Sequence, residues 1–192
     1  MASRDTLVFD IETQNFFTDP EVGWNNYEAL RISVVGVYSY IHDRYTSYTE
    51  EQLEQLADIF LSADTIVGFS SNRYDVPVLH HYFQKLSRRE HLDLWAMRRI
   101  DLLELIEMAT GKRVSLNRLA QANLGLSKTG HGSHAITLYK EGRMSELADY
   151  CLQDVRLTKD LYDLYRATGS LRIPNKDTGT LDVVSLSSPV FS

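Results

Sequence analysis

The order of elements along the 192 residues predicts a mixed α/β domain. Three observations carry this. Leu7-Val8-Phe9 is apolar at consecutive positions, as in a strand buried on both faces at a sheet centre. Strand-like runs at 31–40 and 45–48 precede a segment, 50–63, in which Leu53, Leu56, Ala57, Phe60 and Leu61 have helical spacing. A short buried strand at 65–69 follows, and most of the remainder has a helical pattern. Three strands, a helix, a strand and further helices is the order of a sheet carrying helices on its faces.

The chain is long enough to bury a core as one domain. We expect residues 1–170 to form it and residues 171–192 to add a C-terminal hairpin and tail to the same domain. The apolar fraction of 43% and charged fraction of 24% are those of an ordinary soluble protein. A single cysteine, Cys151, excludes an internal disulfide framework and a cysteine-rich zinc site, and fits a reducing cytoplasm. The chain enters its first strand without a signal-peptide pattern, and no apolar run approaches the ~20 residues that span a bilayer. A cytoplasmic protein without membrane attachment is the expectation. The net charge of −6 argues against coating of duplex nucleic acid, but residues 84–143 hold 11 Lys and Arg against 6 Asp and Glu. That basic middle could follow a phosphate backbone or serve as a solvated face.

Each element has a local reason. Leu7 to Phe9 runs without a turn into Asp10-Ile11-Glu12-Thr13. Residues 14–30 form a long connection with Pro20 and Gly23, and with Phe16, Phe17, Trp24 and Tyr27, a flap that packs onto the body and could stack on bases. Pro77 fits only a first helical turn, so Asp75 lies at or near the N-cap of a helix running through Tyr82 and Phe83 to the basic stretch 85–89. A strand-like segment leads to Asp101, a cap for the next helix, and Ser115 caps a short amphipathic helix over 115–124. Gly125, Gly130 and Gly132 frame a loop with Lys128, His131 and His134, and the two histidines, without a partner pattern for zinc, are expected as loop or substrate-side residues. The last long helix covers 145–167, with Leu147, Leu157, Leu161 and Leu164 in its apolar stripe. Segments 171–173 and 181–184 flank a turn-rich stretch and pair as a closing hairpin, and 185–192 is a loose tail.

The acids carry the chemistry. On a strand, Asp10 and Glu12 at i and i+2 point to one face. Two carboxylates together at a buried strand end repel, unless a hard divalent cation sits between them or the strand surfaces into water. Asp75 alone is explained by helix capping. Tyr150 and Asp154, at i and i+4, stack on one helical face, either as a functional pair or as a core Tyr beside an exposed salt bridge to Arg156 or Lys159.

Taken together the motifs resemble the DEDD superfamily of 3′–5′ exonucleases, in its tyrosine-containing subgroup. Phe9-Asp10-Ile11-Glu12-Thr13 matches the Asp-x-Glu motif; Gly68-Phe69 through Tyr74-Asp75 matches the second, although the family commonly has Asn where this chain has Ser70. Tyr150-x-x-x-Asp154 matches the third, and Ser115 to Ala120 with Leu124-Gly125-Leu126 resembles stand-alone relatives of the family-B DNA polymerase exonuclease domain. The resemblance covers about residues 7–165. It implies a ribonuclease H-like fold, a central five-stranded mixed sheet flanked by helices. It also implies two divalent cations, Mg²⁺ or Mn²⁺, held by Asp10, Glu12, Asp75 and Asp154, with Asp10 bridging and Asp75 acting through water. Tyr150 then orients the attacking water, since a phenol of pKa about 10 is a poor base at neutral pH. Thr13, Ser70, Asn72 and Lys128 are the expected substrate contacts. The implied partner is the 3′ end of single-stranded DNA or RNA, with a polymerase, helicase or repair protein as the partner class. Two alternatives stay open: a ribonuclease H-type endonuclease, and a non-catalytic nucleic-acid-binding module.

Overall fold

A computed structural model describes residues 4–86, 92–126, 133–175 and 178–187. Five strands form one mixed sheet: β1 (Asp5–Thr13), β2 (Ile32–Ser39), β3 (Arg44–Thr49), β4 (Ala63–Gly68) and β5 (Arg98–Asp101), in the order β3-β2-β1-β4-β5. β1 runs antiparallel to β2 and parallel to β4, and β3 completes the antiparallel meander. This is the five-stranded sheet flanked by helices that the ribonuclease H-like expectation called for.

Alternation along β1 divides the core in two. Leu7, Phe9 and Ile11 join β2 residues Val35 and Val37 under α1 (Leu53–Ser62) and α2 (Asp75–Gln84), where Phe60 stacks edge-on against Phe9 and Phe83. The opposite face carries Val8, Val67 and Ile100, covered by α3 (Leu102–Thr110), α4 (Leu116–Leu124) and α6 (Met144–Thr168). A third cluster packs Ala135 and Leu138 of α5 (Ser133–Lys140) on Val34, Leu147, Tyr150 and Cys151.

Element ends follow the capping chemistry read from the sequence. Asp101 caps α3, accepting from the Leu103 and Glu104 amides at 3.0 and 3.2 Å. Ser115 caps α4. α6 continues to Thr168 and ends where Gly169 adopts φ +69°, a conformation cheap only for glycine. The C-terminal hairpin forms between β6 (Ser170–Pro174) and β7 (Leu181–Ser185), and Leu171 and Ile173 bury into the core cluster of α3, α4 and α6. One expectation fails: His134 lies on helix α5, not in a loop. Its helix is only eight residues long and follows Gly130 and Gly132, so local pattern hid it; packing on α6 forms it. Lys128 and His131 lie outside the described residues.

Candidate metal centre

The end of β1 and one face of α6 meet at three carboxylates. One oxygen each from Asp10, Glu12 and Asp154 lies within 4.8 Å of the other two. Asp154 is buried and Asp10 and Glu12 are half-buried, so the like charges are partly desolvated. A donor set made only of carboxylate oxygens is that of a hard divalent cation, which would turn this repulsion into attraction. The side chains present therefore fit a metal centre. Tyr150, one helical turn before Asp154, is buried, and its ring meets the His134 ring of α5 edge-on at 5.8 Å.

The approach of α6 depends on β2. Gly36 pairs with Asp10 across the sheet, and a Cβ at Gly36 would stand 2.9 Å from Val155 Cγ2 and 3.0 Å from Cys151 Sγ. With that space open, the Cys151 thiol sits 3.4 Å from the Asp10 carbonyl and 3.6 Å from Asp10 Oδ2. Burial pushes the thiol well above its ordinary pKa, and the charges of Asp10 and Glu12 push the same way. Cys151 is therefore a protonated donor beneath the carboxylates.

Asp75 stands outside that trio of oxygens and holds the strand that bears it. The β1–β4 ladder ends at Val8 and Val67, and beyond it the Ile11 amide donates to Asp75 Oδ1 at 3.0 Å. Burial raises the Asp75 pKa well above the usual carboxylate range; the Ile11 hydrogen bond opposes this, and the charges of Asp101 and Asp154 add to it.

A family model described as RNase_H superfamily matches residues 7–166, which include every one of these acids. The chain belongs to the RNase H superfamily. A family B DNA polymerase from the hyperthermophilic archaeon Pyrobaculum calidifontis shares the fold, with a TM-score of 0.66 and 21% identity. The match covers 85% of this chain, which spans about a quarter (25%) of the polymerase. No curated protein matches the sequence. Membership of the RNase H superfamily points to nuclease chemistry, and the acidic trio is its candidate metal site.

Around this RNase H superfamily centre, the other expected residues are used in its framework. The Thr13 hydroxyl donates to the Asn15 carbonyl at 2.8 Å, which leaves it to accept from the Tyr74 hydroxyl at 2.8 Å. Ser70 has a left-handed backbone (φ 63°), and its amide donates to Asp101 Oδ1 at 2.8 Å. The Asn72 amide donates to Asp101 Oδ2 at 3.0 Å, while its side chain links Arg99 to Glu104. Asp101 is thus more than the cap its sequence context indicates: it ties the loop after β4 to α3, and burial raises its pKa. Those two amides lie about 30 positions away in sequence, so no local pattern announces them. Gly36 did leave a signal, since glycine inside a strand marks a close approach. In the flap, Phe17 packs edge-on against Tyr27 and Tyr74, and the Tyr27 hydroxyl donates to the Arg73 carbonyl at 2.9 Å. Trp24 is left 77% exposed.

Proposed function

We propose that this chain is a metal-dependent 3′–5′ exonuclease that removes nucleoside 5′-monophosphates from the 3′ end of single-stranded nucleic acid. The observation that carries the reading is the convergence of Asp10, Glu12 and Asp154 within 4.8 Å, with Tyr150 one turn before Asp154 on the same helix. The resemblance of all three motifs to tyrosine-containing DEDD exonucleases supplies direction and end-dependence. The structural likeness to a family B DNA polymerase is consistent with it.

In this reading Asp10, Glu12 and Asp154 would hold two divalent cations, Mg²⁺ or Mn²⁺, and Asp75 would support them. When bound, such cations lower the pKa of a water and neutralise charge developing on the phosphate. Cys151 keeps the Asp10 carboxylate in place by its S–H contact. Asp75 fixes the strand end through the Ile11 amide. The Tyr150 hydroxyl would orient the attacking water, which releases a proton to solvent as its oxygen bonds to phosphorus, and the leaving 3′-oxygen takes a proton from solvent as the P–O3′ bond breaks. Thr13, Ser70 and Asn72, with Lys128 outside the described residues, are the substrate contacts this reading calls for, and a polymerase, helicase or repair protein is the partner class.

The test offers 5′-labelled single-stranded DNA, RNA and duplex ends with Mg²⁺ or Mn²⁺. A ladder shortening from the 3′ end, with circular strands spared, supports the proposal. Rapid cutting of circles by the parent and not by Asp10→Ala would replace it with an endonuclease.

A further inference from the structure

The β1–α6 interface has two ends of opposite chemistry. One end gathers the carboxylates. At the other, a cavity of about 450 Å³ is lined by Thr6, Thr65, Arg98, Tyr162, Tyr165 and Arg166, with no carboxylate among the described lining residues. Thr6 lies four residues before Asp10, ~13 Å along a strand, so the cavity is separate from the metal centre.

The sheet register explains how it arises. Thr6 pairs with Thr65 and Thr65 with Arg98, a polar row across three strands. The next row on the same face is Val8, Val67 and Ile100, sealed by Val155, Leu161 and Tyr162. The face changes from apolar to donor-rich in one step while α6 still overhangs it.

Two guanidiniums face this space on a chain of net charge −6. Among the described residues neither Arg98 nor Arg166 forms an ion pair, whereas Arg73, Arg113, Arg143 and Lys159 each do. The Arg166 guanidinium lies over the Tyr40 and Tyr162 rings, 5.7 and 5.6 Å from their centroids. Stacking uses its flat face and leaves the in-plane N–H donors for a ligand. Both positive charges lower the Tyr162 pKa, opposing the effect of burial there.

We propose that this cavity binds a mononucleotide, its phosphate between Arg98 and Arg166 and its nucleoside against the wall formed by Ile100, Leu186 and the edges of Tyr162 and Tyr165. Guanidinium forks match phosphate oxygens in pairs, and the two threonine hydroxyls add neutral donors. The volume falls within the ~300–1,000 Å³ of small-molecule sites. The proposal stands on this cavity alone and does not depend on the nuclease reading.

The experiment follows melting temperature while AMP is titrated in EDTA, where no cation can hold a phosphate at the carboxylates. A saturable rise is expected in the parent and equally in Asp10→Ala. Arg98→Ala, at an exposed position, should weaken binding at least tenfold. Arg166→Gln should do the same, and its ligand-free melting temperature separates lost stacking from lost binding. Adenosine, which lacks the phosphate, should bind at least tenfold more weakly. A missing AMP shift, a shift unchanged in Arg98→Ala, or one abolished by Asp10→Ala would each overturn the proposal. A full shift from inorganic phosphate would remove the nucleoside from it.

Discussion

Gly36 lies directly across the β1–β2 ladder from Asp10, and its missing side chain is the space into which α6 settles. Because Tyr150, Cys151 and Asp154 all ride on α6, one hydrogen atom on β2 sets how closely that helix reaches the acids of β1.

Gly36→Ala should therefore damage both stability and metal binding. The added methyl would meet Val155 and Cys151 at about 3 Å, contacts on the backbone-proximal parts of short side chains. Overpacking of this kind costs ~1–3 kcal/mol. For a chain of this size that lowers the melting temperature by ~2–4 °C per kcal/mol. Weaker Mn²⁺ binding should accompany it as Asp154 is pushed away from Asp10. A variant that matches the parent in both measurements would show that the helix yields without moving the site.

Asp10→Ala should nearly abolish nuclease activity while leaving a folded protein. It removes a ligand, and it also relieves repulsion among three carboxylates held within 4.8 Å. In EDTA the variant should melt no lower than the parent. The rise in melting temperature that Mg²⁺ or Mn²⁺ gives the parent should be absent. Retention of most of the activity would place the centre elsewhere.

Substitutions at Asp75 separate its hydrogen bond from its charge. Burial raises its pKa, so the folded metal-free protein keeps this proton to higher pH than the unfolded chain does. Stability from that proton is fully present below the unfolded value, about 3.9, and is lost as pH rises through the raised folded value. Asp75→Asn keeps an acceptor for the Ile11 amide and carries no charge. In EDTA it should melt above the parent at neutral pH, with an advantage that shrinks as pH falls toward 4. Asp75→Ala leaves the Ile11 amide buried without its acceptor and should cost ~1–3 kcal/mol. Both should lose Mg²⁺-dependent activity. Equal pH profiles for the parent and Asp75→Asn would refute the buried-charge account.

Tyr150 and Asp154 should fail in different ways. Asp154→Asn weakens a metal ligand, so extra Mn²⁺ should restore part of the rate. Tyr150→Phe keeps the ring contact with His134 and loses only the hydroxyl. A loss of ~10- to 1000-fold in rate is expected, with metal affinity unchanged and no rescue by Mn²⁺. A Tyr150→Phe protein that melts ~1 kcal/mol less stable yet turns over at the parental rate would confine Tyr150 to the core.

Much of this molecule is legible in the order of its residues, and the boundary follows the range of the interactions. The buried strand Leu7 to Phe9, the caps at Asp101 and Ser115, the long helix with its Tyr150–Asp154 pair and the closing hairpin are all set by neighbours a few positions apart. Alternation alone places Asp10 and Glu12 on one face. Tertiary structure decides the rest, because it rests on contacts between residues far apart in the chain. Nothing near Asp75 shows that its carboxylate takes the Ile11 amide 64 residues away. Nothing near Asp101 shows that it also gathers the amides of Ser70 and Asn72. Helix α5 forms because Ala135 and Leu138 find Leu147 and Val34, and this carries His134 to Tyr150. The arginine-lined cavity exists only because the parallel register sets Thr6, Thr65 and Arg98 in one row beneath the end of α6. Local chemistry chose the acids; strand register and the packing of one helix over one glycine brought them together.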